Sequence, residues 1–192
     1  LGLVMTFVSE RRIDFPMVDL AKIVYYPRFW DLAHRFYEES WEFSCGFHYN
    51  EILSEKKIAF PLVHSEARFL HPIYYGDTVQ CSISVSKIGR TSITWNYEFK
   101  NQDGVTCWIA EQVTVCTDML EVSKKIPIPE WMREGLEKMS PKDSSRGHFF
   151  ERDLVRPSSI VASHQFASLQ TAYFPLIPLM SAPSSLAPWR LE

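Results

Sequence analysis

Hydrophobic and polar positions sort this chain into one strand, one long helix and then a run of strands. Residues 6–15 read as a strand leading to Pro16. From 28 to 44 the period becomes helical. Trp30, His34, Tyr37 and Trp41 recur at i, i+4, i+7 and i+11, and Leu32, Phe36 and Phe43 widen the apolar side. So broad an aromatic surface predicts a helix enclosed by a sheet rather than one lying on the outside. Asp31, Arg35, Glu38, Glu39 and Glu42 hold its remaining polar edge. His34 and Tyr37 each carry a polar tip that needs a partner wherever it is buried.

Four strands are predicted next, at about 58–71, 78–88, 91–101 and 105–118. Val79, Cys81, Ile83 and Val85 alternate with Thr78, Gln80, Ser82 and Ser84. Ile93, Trp95, Tyr97 and Phe99 alternate with Ser92, Thr94, Asn96 and Glu98. Val105, Cys107, Ile109, Val113 and Val115 are read as the matching apolar face of the last strand. Such alternation supports an antiparallel sheet with one face covered. Gly76-Asp77, Ile88-Gly89-Arg90 and Asn101-Gln102-Asp103-Gly104 mark the turns. A second helix is expected from near Pro129, with Trp131, Met132 and Leu136 apolar. The order is that of an α+β fold, a curved antiparallel sheet wrapped around a central helix.

Composition supports one such domain over residues 1–140: 46% of the chain is hydrophobic and 14% aromatic, enough for a packed core. Residues 141–192 read as an irregular or disordered Ser/Pro-rich extension. Between Pro157 and Trp189 there is no Asp, Glu, Lys or Arg, and prolines and serines interrupt the segment. Its apolar part, Ala172–Ala182, is short and contains Pro175 and Pro178, which argues against a membrane span. A docking segment, a flap on the domain and translation past a normal end all fit it. At the other terminus no basic region precedes an apolar one, so no secretory signal is expected, and Met5 is read as a candidate start.

A net charge of −3 leaves no basic footprint for nucleic acid. The four cysteines form no C-x-x-C pair, and three fall in expected strands, which fits buried reduced thiols and a cytoplasmic setting. No H-E-x-x-H, zinc-spaced Cys/His cluster, G-x-x-x-x-G-K-[ST] or G-x-S-x-G occurs, so no metal or cofactor is expected. Asp143 and His148 have a D-x4-H spacing but stand beyond the last strand, and are read as chance.

The chemistry-bearing stretch is Asp19-Leu20-Ala21-Lys22-Ile23-Val24-Tyr25-Tyr26-Pro27-Arg28-Phe29. An acidic residue at the end of a strand precedes a short apolar segment, and a proline then opens a helix. This layout sets a carboxylate beside the positive end of a helix, where a carbonyl can be attacked and polarised. A turn-forming or helix-capping aspartate would use the same residue type.

That stretch resembles the signature D-x-A-G-[IV]-V-[YF]-[YF]-P-x-[FY] of the 4-hydroxybenzoyl-CoA thioesterase family, whose members have the hotdog fold. Phe69-Leu70-His71-Pro72-Ile73-Tyr74-Tyr75-Gly76-Asp77 and Val85-Ser86-Lys87-Ile88-Gly89-Arg90-Thr91-Ser92 match its later turn and hairpin patterns. The resemblance covers roughly residues 6–140. It implies an acyl-CoA thioesterase that releases a free acid and coenzyme A, with an aromatic or a short- to medium-chain acyl group. Asp19 takes the role of nucleophile or general base, and the Tyr26 N–H that of donor to the thioester oxygen.

Tyr25, Pro27 and His64 are expected to contact substrate; for His64, on the strand before the His71-Pro72 turn, a hydrogen-bonded structural role is the alternative. Lys87, Arg90, Thr91 and Ser92 stand at a hairpin where such enzymes meet coenzyme A phosphates and pantetheine. Glu38 and Glu39, on the central helix, are the fallback for catalysis. Family members pair sheet edges, so a homodimer or homotetramer is expected. One departure stands out: the usual glycine is Lys22. Either the loop follows a different path there or the lysine reaches toward ligand charge. A hotdog module that binds acyl-CoA or acyl-carrier thioesters without cleaving them is the alternative, and a hydratase a third.

Overall fold

Residues 5–140 are described by the computed structural model. In chain order they form β1 (Phe7–Arg12), a 3-10 turn (Phe15–Met17), α1 (Arg28–Cys45), α2 (Tyr49–Ser54), β2 (Ile58–Ala59) and β3 (Leu62–Phe69). Then follow β4 (Thr78–Ile88), β5 (Ser92–Lys100), β6 (Thr106–Val115), β7 (Thr117–Asp118) and α3 (Glu130–Lys138). Five strands make one antiparallel sheet in the order β1-β4-β5-β6-β3, and β2 pairs with β7 in a small separate ribbon.

The sheet curves around α1, as the aromatic period of that helix requires. Phe29, Leu32, Phe36, Tyr37 and Trp41 are all buried. Their rings meet those of the sheet: Phe36 lies 5.7 Å from Phe99, and Tyr37 and Trp41 lie 5.1 and 5.3 Å from Trp95. Most of these contacts are edge-to-face, the arrangement the ring quadrupole favours. His34 departs from expectation. It stands at the rim, exposed, 3.2 Å from Glu38, and escapes the burial that its apolar neighbours share. Tyr37 is buried, and its hydroxyl has no hydrogen-bond partner among the described residues. Burial, with Tyr49 and Tyr97 nearby, holds that hydroxyl protonated well above the usual phenol range.

Two strand assignments change. The stretch expected as one strand over 58–71 is broken at Phe60-Pro61, because proline cannot donate to a ladder. In β6 the face toward α1 is the opposite of the one expected. Phe99, Tyr97, Trp95 and Ile93 of β5 stand across from Trp108, Ala110, Gln112 and Thr114. Directly paired residues share a face, so Gln112 and Thr114, both buried, belong to the helix side. Ile109 and Val113 take the outer one, while Cys107, beside the register shift at Phe99/Lys100, stays in the core.

The first strand ends at Arg12 and yields to the 3-10 turn at Pro16, short of the 6–15 range expected. The second expected helix is present as α3, beginning directly after Pro129. The extension expected over 141–192, with Asp143 and His148, lies outside the described residues. No helix among the described residues is long and apolar enough to cross a membrane.

α3 closes the far end of α1 through a glycine. A Cβ at Gly135 would collide with the Ser44 carbonyl oxygen and stand 2.9 Å from Cys45 Sγ. The close helix crossing therefore depends on that missing methyl group. Gly135→Ala is expected to destabilise the domain by about 1–3 kcal/mol, read as a lower urea midpoint at unchanged slope. Stability equal to that of the parent chain would show that the crossing can open at no cost.

Candidate active site

The N-terminus of α1 is anchored before the helix begins. Val24 donates its N–H to the Ile73 carbonyl at 2.8 Å, and Tyr25 donates to Met17 at 2.9 Å. Pro27 caps the helix with helical angles, φ −67° and ψ −22°. Having no N–H, it leaves none unsatisfied at this position. The Tyr26 N–H, one residue earlier, donates to no backbone or side-chain acceptor among the described residues. An unpaired N–H at the positive end of an 18-residue helix is a ready donor to developing negative charge.

Asp19 sits in a tight turn rather than at a strand end. The isolated bridge between Val18 and Val24 closes this turn. Asp19 donates its N–H to the Ile23 carbonyl at 3.0 Å, and its own carbonyl accepts from Lys22 at 2.9 Å. One carboxylate oxygen, Oδ1, accepts the Ala21 N–H at 2.8 Å. Asp19 does not cap α1, which has no side-chain cap. It does serve its turn, and the second carboxylate oxygen has no partner among the described residues.

Asp19, Tyr25 and Tyr26 line one cavity of about 460 Å³ whose walls include Phe29, Phe69, Leu70, Pro72 and Ile73. The walls are extensions of the core: Phe29 lies 5.1 Å from Phe69 and 5.7 Å from Trp108. His71 also lines this cavity. Sequence reasoning passed over it as a turn residue, although its place two residues after Phe69 was the available signal.

Lys22 has φ +64°, the left-handed region that glycine favours. The lysine therefore occupies the conformation the usual glycine supplies, and its carbonyl still accepts the Tyr75 N–H at 3.1 Å.

The remaining predicted residues stand elsewhere. Pro27 adjoins the cavity as the helix cap. His64 is exposed on β3 opposite Val113, on the outer face of the sheet and away from α1. Its inward neighbour Ser65 accepts the Trp30 Nε1–H at 3.0 Å. Lys87 lies near the end of β4, and Arg90, Thr91 and Ser92 lie in and after the following turn. The register carries Ser92 to Val115 and Lys100 to Thr106, so this hairpin is at the end of the sheet opposite Phe69 and Asp19. Glu39 pairs with Arg11 and accepts from Ser9, which makes it a tie to β1. Glu38 faces a second cavity.

Left-handed backbone costs a non-glycine residue about 1–2 kcal/mol, and glycine carries an entropy penalty of about 0.5–1 kcal/mol. Lys22→Gly is accordingly expected to raise stability by about 0.5–1 kcal/mol, seen as a higher melting temperature. An unchanged or lower melting temperature would mean that the lysine side chain makes compensating contacts.

Comparison with known proteins agrees with this fold. The model of the thioesterase-like superfamily matches residues 14–136. A 1,4-dihydroxy-2-naphthoyl-CoA hydrolase of Nostoc punctiforme is 32% identical over 133 residues, spanning 67% of this chain and 87% of that protein. Among solved structures, a 1,4-dihydroxy-2-naphthoyl-CoA thioesterase from Synechocystis superposes with a TM-score of 0.62 at 27% identity, covering 69% of this chain and 96% of the other. A gentisyl-coenzyme A thioesterase superposes at 0.60 with 25% identity, covering 66% and 99%. With its hotdog sheet around α1 and a match spanning most of the described residues, the chain belongs to the thioesterase-like superfamily.

Proposed function

We propose that this protein hydrolyses acyl-CoA thioesters at the Asp19 cavity, as a member of the 4-hydroxybenzoyl-CoA thioesterase branch. The observation that carries the reading is the convergence of the Asp19 carboxylate and the unpaired Tyr26 N–H on one cavity with apolar walls. Asp19 attacks the thioester carbonyl or draws a proton from the attacking water. The carbonyl oxygen gains charge as the tetrahedral intermediate forms, and the Tyr26 N–H receives it. One such donor is worth about 3 kcal/mol. Collapse expels the coenzyme A thiolate, which takes up a proton, and water supplies the oxygen of the free acid. A carboxylate needs no partner base at neutral pH, and no cofactor enters the scheme.

Phe29, Phe69 and Tyr25 favour an aromatic acyl group over a simple alkyl chain. The naphthoyl and gentisyl thioesters named for the relatives belong to that class. The non-catalytic reading drew its support from Lys22. That residue keeps the left-handed turn closed by its backbone bonds, so no specific observation now favours it. The four free cysteines support a reducing, cytoplasmic setting.

The open edge of β3 supports a homodimer. Leu62 and Val63 are half-exposed there, beside unpaired backbone groups. Antiparallel pairing of two such edges about a two-fold axis reverses the ends of the partner sheet. It would carry the Lys87–Ser92 hairpin of one copy to the end that holds Asp19 of the other. Cations for coenzyme A phosphates and the attacking carboxylate would then come from different protomers.

Asp19→Asn is expected to lower kcat for aryl-CoA hydrolysis by about 10²–10⁴-fold, followed by free-thiol release on the folded variant. Undiminished release would move the chemistry to Glu38 or elsewhere. Light scattering of the parent chain is expected to give at least twice its 22.4 kDa mass. The double variant Leu62→Lys/Val63→Lys is expected to shift this toward the monomer and to lose activity with it. A fully active monomer would overturn the shared site.

A further inference from the structure

Four side chains with polar groups line the Asp19 cavity: Asp19, Tyr25, Tyr26 and His71. Attack by Asp19 and charge capture by the Tyr26 N–H use only the first of these side chains. His71 is placed by the backbone on both sides of it. Its N–H and that of Leu70 both donate to the Cys107 carbonyl, at 3.1 and 2.8 Å, which bends the chain as it leaves β3. Two residues on, the Ile73 carbonyl accepts the Val24 N–H at 2.8 Å. Tyr74 then bridges to Ile23, and Tyr75 donates to Lys22 at 3.1 Å. The segment carrying His71 is therefore bonded to the turn carrying Asp19, and the two residues are held on one cavity.

The imidazole makes no hydrogen bond or ion pair with any described residue, and it is exposed, so water reaches it. Its neighbours on the wall, Phe69, Leu70 and Pro72, offer neither donor nor acceptor side chains. An imidazole can take up and give back a proton near neutral pH, whereas a phenol holds its proton there. A neutral imidazole also leaves the Asp19 carboxylate free of an ion pair.

Direct attack creates a need that Asp19 itself cannot meet. Its Oδ2, the oxygen that the turn leaves free, bonds to the acyl carbon. The C–S bond breaks, and its electron pair leaves on the coenzyme A sulfur. A thiol loses its proton at a pH little above neutral, so the thiolate departs without help from an acid. What remains is a mixed anhydride in which the carboxylate is tied up. Water must then open it, and the base that takes the water's proton has to be another group in the cavity.

We propose that His71 is that base. Its imidazole removes one proton from the water as the water oxygen bonds to the acyl carbon. The bond from that carbon to Oδ2 breaks, its electrons return to Asp19 as the carboxylate, and the free acid departs. The proton on His71 passes by way of solvent to the thiolate, which completes coenzyme A and restores the neutral imidazole. This role rests on hydrolysis at the Asp19 cavity and divides it. Asp19 serves the first half-reaction as nucleophile, and His71 serves the second as base.

The test is rapid mixing of the full chain and its variants with excess benzoyl-CoA, followed by free thiol. His71→Ala is expected to release one equivalent of thiol per site at close to the parent's first-turnover rate. It should then settle to a steady rate about 10²–10⁴-fold lower. Added imidazole is expected to raise that steady rate, and adding Asp19→Asn to His71→Ala is expected to abolish the burst. His71→Gln serves with the same outcomes if His71→Ala does not fold. Equal slowing of both phases without a burst would overturn the role as base, and so would steady turnover equal to the parent's. Undiminished release by Asp19→Asn would instead remove the Asp19 chemistry itself. Slow Asp19→Asn beside fully active His71→Ala would strike His71 alone.

Discussion

The enclosure of α1 by the curved sheet is the constraint from which the other features follow. A helix with Phe29, Phe36, Tyr37 and Trp41 on its surface cannot lie against water, and a flat sheet would cover only part of it. Once the sheet closes around it, the axial position of the helix is fixed by ring contacts at several levels, from Phe29 on Phe99 to Trp41 on Trp95. The helix N-terminus is then held at the Phe69 end of the sheet. The turn containing Asp19 is held beside it through the bonds of Val24 to Ile73 and Tyr25 to Met17. Carboxylate and helix end are brought together by the packing of residues that take no part in chemistry. Such rigidity is what an oxyanion donor needs, because it then costs no reorganisation at the moment of reaction.

The same enclosure divides the helix surface between two environments. On the Asp19 side the walls are mostly hydrocarbon, and the polar groups include Asp19, His71 and the Tyr26 backbone. Polar interactions in such surroundings are stronger than in water, since few dipoles compete with them. On the other side β6 turns an amide and a hydroxyl inward. A core strand bearing Gln112 and Thr114 on its buried face is unusual economy for a domain with apolar residues to spare. The enclosed Tyr37 hydroxyl beside them carries a cost of about 1–3 kcal/mol while unpaired.

Much of the architecture was legible in the sequence because its periods are clean. The helical run over 28–44 was recovered within a residue as Arg28–Cys45, and the alternation of β4 and β5 matched their buried faces. β6 was misread for a physical reason. Trp108 and Ala110 compete with Cys107 and Ile109, so both faces look apolar and only pairing with β5 decides between them. α2, a single six-residue helix, carries too few positions to show a period. At the site, the order of residues around Asp19 was readable, whereas the turn that holds it was not. Its closure depends on the Val18–Val24 bridge and on the left-handed Lys22. His71 entered the cavity because the chain bends after β3, which no local pattern announces.

The separation of the Lys87–Ser92 hairpin from Asp19 within one protomer has a rationale in the chemistry. A carboxylate that must attack a carbonyl works best without an ion pair, because a nearby cation stabilises its charge and ties up its lone pairs. Coenzyme A, however, brings phosphates that need cations, and it carries them at the far end of a long pantetheine arm from the thioester. A fold that placed Lys87 and Arg90 next to Asp19 would serve the phosphates and disable the nucleophile. Keeping them at opposite ends of the sheet avoids the conflict, and the open β3 edge offers a way to bring them within reach of one extended substrate without bringing them within reach of each other.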